Sequence, residues 1–251
     1  EVIIYNRVLS TNEQTQVLGY LRRKYGIDPN TTTNSYVWVK VPRIAGSTDS
    51  IWAYWGNPGT TAPNYTTNGA TWVNGYRSVY HGAVFGANND LADSTINRFA
   101  ATNENVLTTY VTGAVDGAVM IDAENEAFRV PPMSRAGFSA GLWYSFDSVG
   151  PDSGWNTIFV RSGGTYHHIL INDASRNIGF YNAAWYDSGV PLTLGNLYHI
   201  YLVVNGNNAQ MYLNGRLIQT SASFFDNTLY PLNCISTLGA GSQAAYGKLD
   251  E

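Results

Sequence analysis

The chain has 251 residues, enough for one large β domain or for a domain with a smaller module. Its apolar fraction of 44% supports a packed core, but only 13% of residues are charged where about a quarter is usual, so Asn, Thr, Ser, Gly and Tyr carry the polarity. A formal net charge of −4 with no basic run argues against nucleic acid and anionic membranes as partners, and no apolar run is long enough to span a bilayer. Cys234 is the single cysteine, so no intrachain disulfide forms, and its neighbours Leu232 and Ile235 predict a buried, inert thiol.

In chain order, Val2 to Tyr5 form a β-prone run with apolar residues on both faces, as in an internal strand. Ser10 with Glu13 makes a capping box, followed by the apolar stripe Val17, Leu18 and Leu21 and by basic residues in the last turns. This predicts a helix ending near Gly26. Residues 28–35 are turn-prone. Val37, Val39 and Val41 then alternate with Trp38 and Lys40, and a turn at 45–47 leads to a second aromatic run over 50–55, so two strands are predicted there. Residues 59–75 read as irregular. From 118 onward short apolar runs recur at the spacing of a β sandwich: 118–122, 128–131, 138–146, 156–161, 167–172, 178–182, 198–205 and 209–213. Asn214-Gly215 is a two-residue type I′ hairpin signal. No block occurs twice within the chain.

Several stretches resemble known families. Gly247-Lys248-Leu249-Asp250-Glu251, read on into Glu1-Val2-Ile3-Ile4-Tyr5-Asn6-Arg7 with one shared glutamate, resembles the closing strand of a laminin-G-like, concanavalin A-like jelly roll. The segments 118–131, 138–146 and 198–218 resemble the opening hairpin, a core strand and the most characteristic hairpin of the same family. Residues 37–58 resemble a small domain of unknown function that precedes such jelly rolls in bacterial and archaeal surface proteins. The resemblance implies an all-β concanavalin A-like jelly-roll sandwich with a smaller β module and one α-helix. It divides the chain into residues 1–27, the closing strand and helix of a neighbouring jelly roll; 28–85, the small module; and 86–251, a jelly roll lacking the end of its last strand.

The residues offer little catalytic chemistry. Asp122, Glu124 and Glu126 are spaced as alternate strand residues, and retaining glycosidases need two carboxylates about 5 Å apart. The resemblance instead puts the stretch in a hairpin turn, which predicts solvated carboxylates. His167 and His168 are adjacent on a strand and point to opposite faces, and no Cys or His set has zinc spacing. The resemblance implies one structural Ca²⁺, for which Asp90, Asp93 and Asp250 are the candidate oxygen ligands. Trp52, Tyr54, Trp143, Tyr144, Trp155, Trp185 and Tyr186 are aromatics suited either to a core and subunit contacts or to sugar rings, with Trp155, Trp185 and Tyr186 the candidate glycan contacts.

The leading expectation is a structural repeat of an extracellular filament or giant cell-surface protein, joined head to tail by strand complementation. Glu1, Val2, Ile3, Ile4, Tyr5, Gly247, Lys248, Leu249, Asp250 and Glu251 would then form the contact between copies. The alternative is a carbohydrate-binding adhesin module, with glycans as partners. A glucanase-type enzyme ranks third, so no catalytic residue is assigned.

Overall fold

The computed structural model describes residues 10, 37–53, 59–61, 63, 65, 68–107, 110–133, 137–150, 154–161, 166–221, 232–237 and 243–251. The chain divides into two compact units, residues 1–66 and 67–251. In the first unit, the Asp49 N–H donates to the Gly46 carbonyl at 3.4 Å. The Asp49 carboxylate accepts from the N–H groups of Gly46 and Ala45, closing the expected turn. No strand forms over 37–41 or 50–53, although alternation predicts two. Alternation yields a strand only beside a partner edge and under an apolar cover; among the described residues of this unit no strand is present, and Val37 and Trp52 are 80% and 77% exposed. The helix predicted after Ser10 and the strand predicted over Val2–Tyr5 lie outside the described residues.

The second unit starts with a hairpin of β1 (Tyr80–Phe85) and β2 (Leu91–Asp93), joined through a 3-10 turn at Ala87–Asn89. Two seven-stranded antiparallel sheets follow. In order across the first lie β11 (Trp185–Pro191), β10 (Asn177–Asn182), β9 (Tyr166–Asn172), β8 (Trp155–Val160), β15 (Cys234–Ser236), β6 (Ala127–Arg129) and β3 (Thr102–Glu104). Across the second lie β14 (Arg216–Ser221), β13 (Asn208–Leu213), β12 (Leu197–Asn205), β7 (Gly137–Phe146), β16 (Gly247–Asp250), β5 (Gly117–Ile121) and β4 (Val111–Thr112). This is the all-β jelly-roll sandwich expected, with almost no helix among the described residues.

Period-2 alternation decides what each sheet buries. Leu142, Tyr144 and Phe146 of β7 and Ile200, Leu202 and Val204 of β12 point inward, where they meet Ile158, Ile169, Ile171, Ile178 and Phe180 of the first sheet. The intervening residues Gly141, Trp143, His199 and Tyr201 face outward. One strand carries the closure of the second sheet: β16 pairs with β7 through Leu249↔Tyr144 and with β5 through Leu249↔Val119. Over Gly247–Leu249 it is central and hydrogen-bonded on both sides. Its Gly247 has φ 152°, and a Cβ there would collide with the Ser145 carbonyl, so only glycine fits. The carboxylate stretch is also different from expectation. Asp122 and Glu124 are exposed in the β5–β6 turn, but Glu126 is 1% exposed. It accepts from the N–H groups of Asp122 (2.8 Å), Ala123 (3.0 Å) and Leu107 (3.1 Å), so it is a buried clamp on the turn.

Candidate functional site

The β10–β11 hairpin builds an aromatic patch on the outer face of the first sheet. Its register sets Tyr181 opposite Trp185, Phe180 opposite Tyr186 and Gly179 opposite Asp187. Phe180 is fully buried, so its neighbours Gly179 and Tyr181 face outward, and so do Trp185 and Asp187. Gly179 is required here: a Cβ would run into the Trp185 ring and the Tyr186 carbonyl. The indole therefore lies down over the bare backbone of β10. Trp155, at the start of β8, meets it with ring centroids 5.0 Å apart at 62°, and lies 6.3 Å from Tyr181. All three rings are half-buried.

Polar groups frame the patch. The Asp187 carboxylate accepts from Asn177 Nδ2 at 3.0 Å, from the Gly189 N–H at 2.7 Å and from the Trp185 indole N–H. Burial works against its charge, but these hydrogen bonds outweigh it and hold the carboxyl below its ordinary range. The exposed Asp187 stays ionised as an acceptor beside the rings. Beneath Tyr181 lies His167, ring centroids 5.9 Å apart, with its Nδ1 2.8 Å from Thr157 Oγ1. Burial lowers its pKa to about 4, so the imidazole is neutral at neutral pH. His168 points the other way into the core, edge-on to Phe138, as the strand alternation predicts.

The sequence-predicted residues are thus partly assembled. Trp155 and Trp185 come together. Tyr186 does not join them: it faces the opposite side of β11, and its carbonyl accepts from Gln219 Nε2 of β14 at 2.9 Å. Tyr144 is fully buried with its hydroxyl on the Tyr246 carbonyl at 3.0 Å, Trp143 lies on the outer face of the other sheet, Trp52 is in the first unit, and Tyr54 is outside the described residues. Tyr181, Asp187 and Asn177 were not singled out from sequence. The hairpin register would have found them.

The three aspartates do not form one ligand set. Asp93 is buried and spent on the chain itself: it accepts from the N–H groups of Val79, Thr95 and Phe99 and from Thr95 Oγ1, all within 2.9 Å. Asp90 Oδ1 accepts from the Asn103 N–H at 2.8 Å. Asp250 Oδ2 accepts from the N–H groups of Ala114 (2.6 Å) and Val115 (2.9 Å), while its Oδ1 is buried without a partner among the described residues, and burial raises its carboxyl above the ordinary range. Among the described residues no three His, Cys, Asp or Glu side chains gather around one point. Of the expected inter-copy contacts, Glu1 to Tyr5 lie outside the described residues. Gly247, Lys248 and Leu249 have both strand edges filled within the chain, Asp250 pairs with Trp143 of β7, and Glu251 Oε1 sits 2.8 Å from His81 Nδ1. Cys234 is fully buried, its thiol pushed up to about 12 by burial.

Comparison with known proteins bears on this fold. Residues 116–251, more than half of the chain, match the profile of the family described as the concanavalin A-like lectin/glucanases superfamily. The chain belongs to the concanavalin A-like lectin/glucanases superfamily. A solved member of the same fold is domain 4 of AbnA, an extracellular GH43 arabinanase from Geobacillus stearothermophilus, in complex with arabinotriose. It is 20% identical with a TM-score of 0.50, over 65% of this chain and 85% of that one. The Trypanosoma rangeli sialidase in complex with sialic acid is 11% identical with a TM-score of 0.51, over 68% of this chain and only 29% of the sialidase. The likeness is one of fold, and it covers less than a third of the sialidase. A search of curated protein sequences finds no match.

Proposed function

We propose that this chain is a non-catalytic glycan-binding module displayed outside the cell, and that it binds sugar on the β8–β10–β11 face. The observation that carries this reading is the Trp155–Trp185 pair, set at 62° with Tyr181 alongside and the Asp187 carboxylate at its rim. The C–H face of a sugar ring is apolar and stacks on an electron-rich indole, while its hydroxyls need acceptors at the edge. Two indoles at a steep angle offer a floor and a wall to one ring. Trp185 is held in place by Gly179 and by its own bond to Asp187, so little ordering is lost on binding. The carboxylates that could suggest hydrolysis are otherwise engaged: Glu126 is buried on three backbone N–H groups, and Asp122 and Glu124 stand in an exposed turn. The Geobacillus domain of this fold was solved with arabinotriose, which makes neutral arabino-oligosaccharides the first probes.

The test is titration calorimetry of the chain against neutral trisaccharides and plant and microbial polysaccharides. Trp185→Ala should lower affinity at least about tenfold, or about 1.4 kcal/mol, while Trp185→Phe keeps most of it and circular dichroism stays unchanged. Affinity unaffected by Trp185→Ala and Trp155→Ala, or release of reducing sugar by the unmodified chain, overturns the reading.

A further inference from the structure

The outer face of the second sheet has an aromatic surface of its own. Because Leu142 and Ile200 point into the core, Trp143 and His199, paired across β7 and β12, both point out. Their ring centroids are 5.1 Å apart at 55°, and the next outward residue on β12, Tyr201, stacks on His199 at 6.1 Å and 20°. Tyr201 lies over Gly141, where a Cβ would collide with its ring. This repeats the device seen on the other face, where Trp185 lies over Gly179. Tyr212 and Leu217 continue the row through the register Tyr201↔Tyr212 and Tyr212↔Leu217.

An open hollow of about 510 Å³ sits on this surface, lined by Trp143, Leu197, His199 and Asn214. Among the described residues several of its polar groups have no partner. Asn214, held in the positive-φ position of the β13–β14 turn, accepts from the His199 N–H through Oδ1 at 2.9 Å, and its amide nitrogen has no partner among the described residues. Among the described residues the ring nitrogens of His199 and the Tyr201 hydroxyl make no hydrogen bond. A purely apolar groove would suit a protein surface. Rings interleaved with unspent donors and acceptors, and carrying no carboxylate among the lining residues, suit the alternating C–H faces and hydroxyls of a carbohydrate.

We propose that Trp143, His199 and Asn214 form a second neutral-sugar site, so that one module holds two glycan chains on opposite outer faces of the sandwich. This rests on the glycan-binding reading of the first face but uses different residues and a different sheet. The consequence is bivalency. A module with two sites on opposite faces cross-links polysaccharide, and each site raises the effective concentration of the next contact.

Indole N–H signals of isotopically labelled protein, assigned by single substitution, read each face separately during titration with arabinotriose, xylotriose, cellotriose and mannotriose. The Trp143 and Trp185 signals should both shift, with stoichiometry falling from two to one in Trp143→Ala and in Trp185→Ala. The unmodified chain should precipitate a soluble polysaccharide that either variant leaves in solution. His199→Ala, which spares the β7 packing, should weaken the Trp143 site about tenfold or more. If Trp185 shifts to saturation while Trp143 stays still, the second site does not exist and the first stands. If neither indole shifts with any sugar, the glycan-binding reading itself fails. If Trp143 is protected in a dimer that Trp143→Ala dissociates, the face joins two copies of the chain and the proposal is wrong.

Discussion

His167 gives the sharpest quantitative test of the packing beneath the aromatic patch. Its imidazole is 4% exposed, bonded to Thr157 and covered by Tyr181, and burial lowers its pKa to about 4. In the unfolded chain a histidine titrates near about 6.5. Because the folded value is the lower one, the unfolded state takes up a proton first as the pH falls. Stability on this account is complete above about pH 6.5, is lost steadily down to about pH 4, and changes no further below that. Integrating the two titrations between about pH 7.5 and about pH 4.5 gives a loss of about 2.5 kcal/mol. Asp173 and Asp250, both raised by burial, shift the acid limb the opposite way, so the comparison must be internal. Urea unfolding of the unmodified chain and of His167→Asn, whose amide can still bond Thr157, isolates the term. The variant loses some stability at neutral pH and then falls by about 2.5 kcal/mol less than the unmodified chain on acidification. Equal slopes for the two proteins, or an imidazole resonance titrating near about 6.5 in the folded state, would refute the argument.

Other expectations follow from single contacts. Gly179→Ala places a methyl where the Trp185 ring and the Tyr186 carbonyl already are, so it should cost about 1–3 kcal/mol and weaken sugar binding through a displaced indole, measured by unfolding and calorimetry together. Glu126→Ala leaves three backbone donors of the β5–β6 turn without their acceptor and should cost about 2–4 kcal/mol, with Glu126→Gln retaining part of it; a loss under about 0.5 kcal/mol would mean that water replaces the carboxylate freely. Cys234 should resist thiol reagents in the folded protein and react only at the rate of unfolding, read by mass spectrometry in rising urea. Light scattering tests head-to-tail assembly: with both edges of β16 filled within the chain, copies can associate through it only end to end, and removal of residues 1–9 should then abolish any oligomer.

Much of the sandwich was legible because its strands obey a simple period. The runs 138–146, 198–205 and 209–213 correspond to β7, β12 and β13 within a residue at each end. Asn214 and Gly215 have φ values of 50° and 78°, the two positive angles that a type I′ turn demands. The β11 strand was not legible. Its Asp187-Ser188-Gly189 centre is polar and bulged, with Ser188 Oγ on the Ile178 carbonyl at 2.6 Å, so the alternation that marks a strand is broken there. Missing that strand also hid the outward set of Tyr181, Trp185 and Asp187, which exists only through the register with β10. Glu126 was misread for a related reason. A glutamate in a turn usually faces water, and only the fold shows three N–H groups aimed at it.

The position of β16 also bears on how the domain is made. Its partners β5 and β7 are synthesised about a hundred residues earlier, and Leu249 bonds beside Val119 and Tyr144. Until Gly247–Asp250 leaves the ribosome, the second sheet exists as two fragments, β4–β5 and β7–β12–β13–β14, with an open seam between them. Both sides of that seam are apolar strand edges, the kind that pair with other nascent chains. Closure by such a distant segment makes folding slow and all-or-none. A product that ends between β14 and Gly247 therefore carries unpaired edges on both β5 and β7, the kind of edge that invites aggregation.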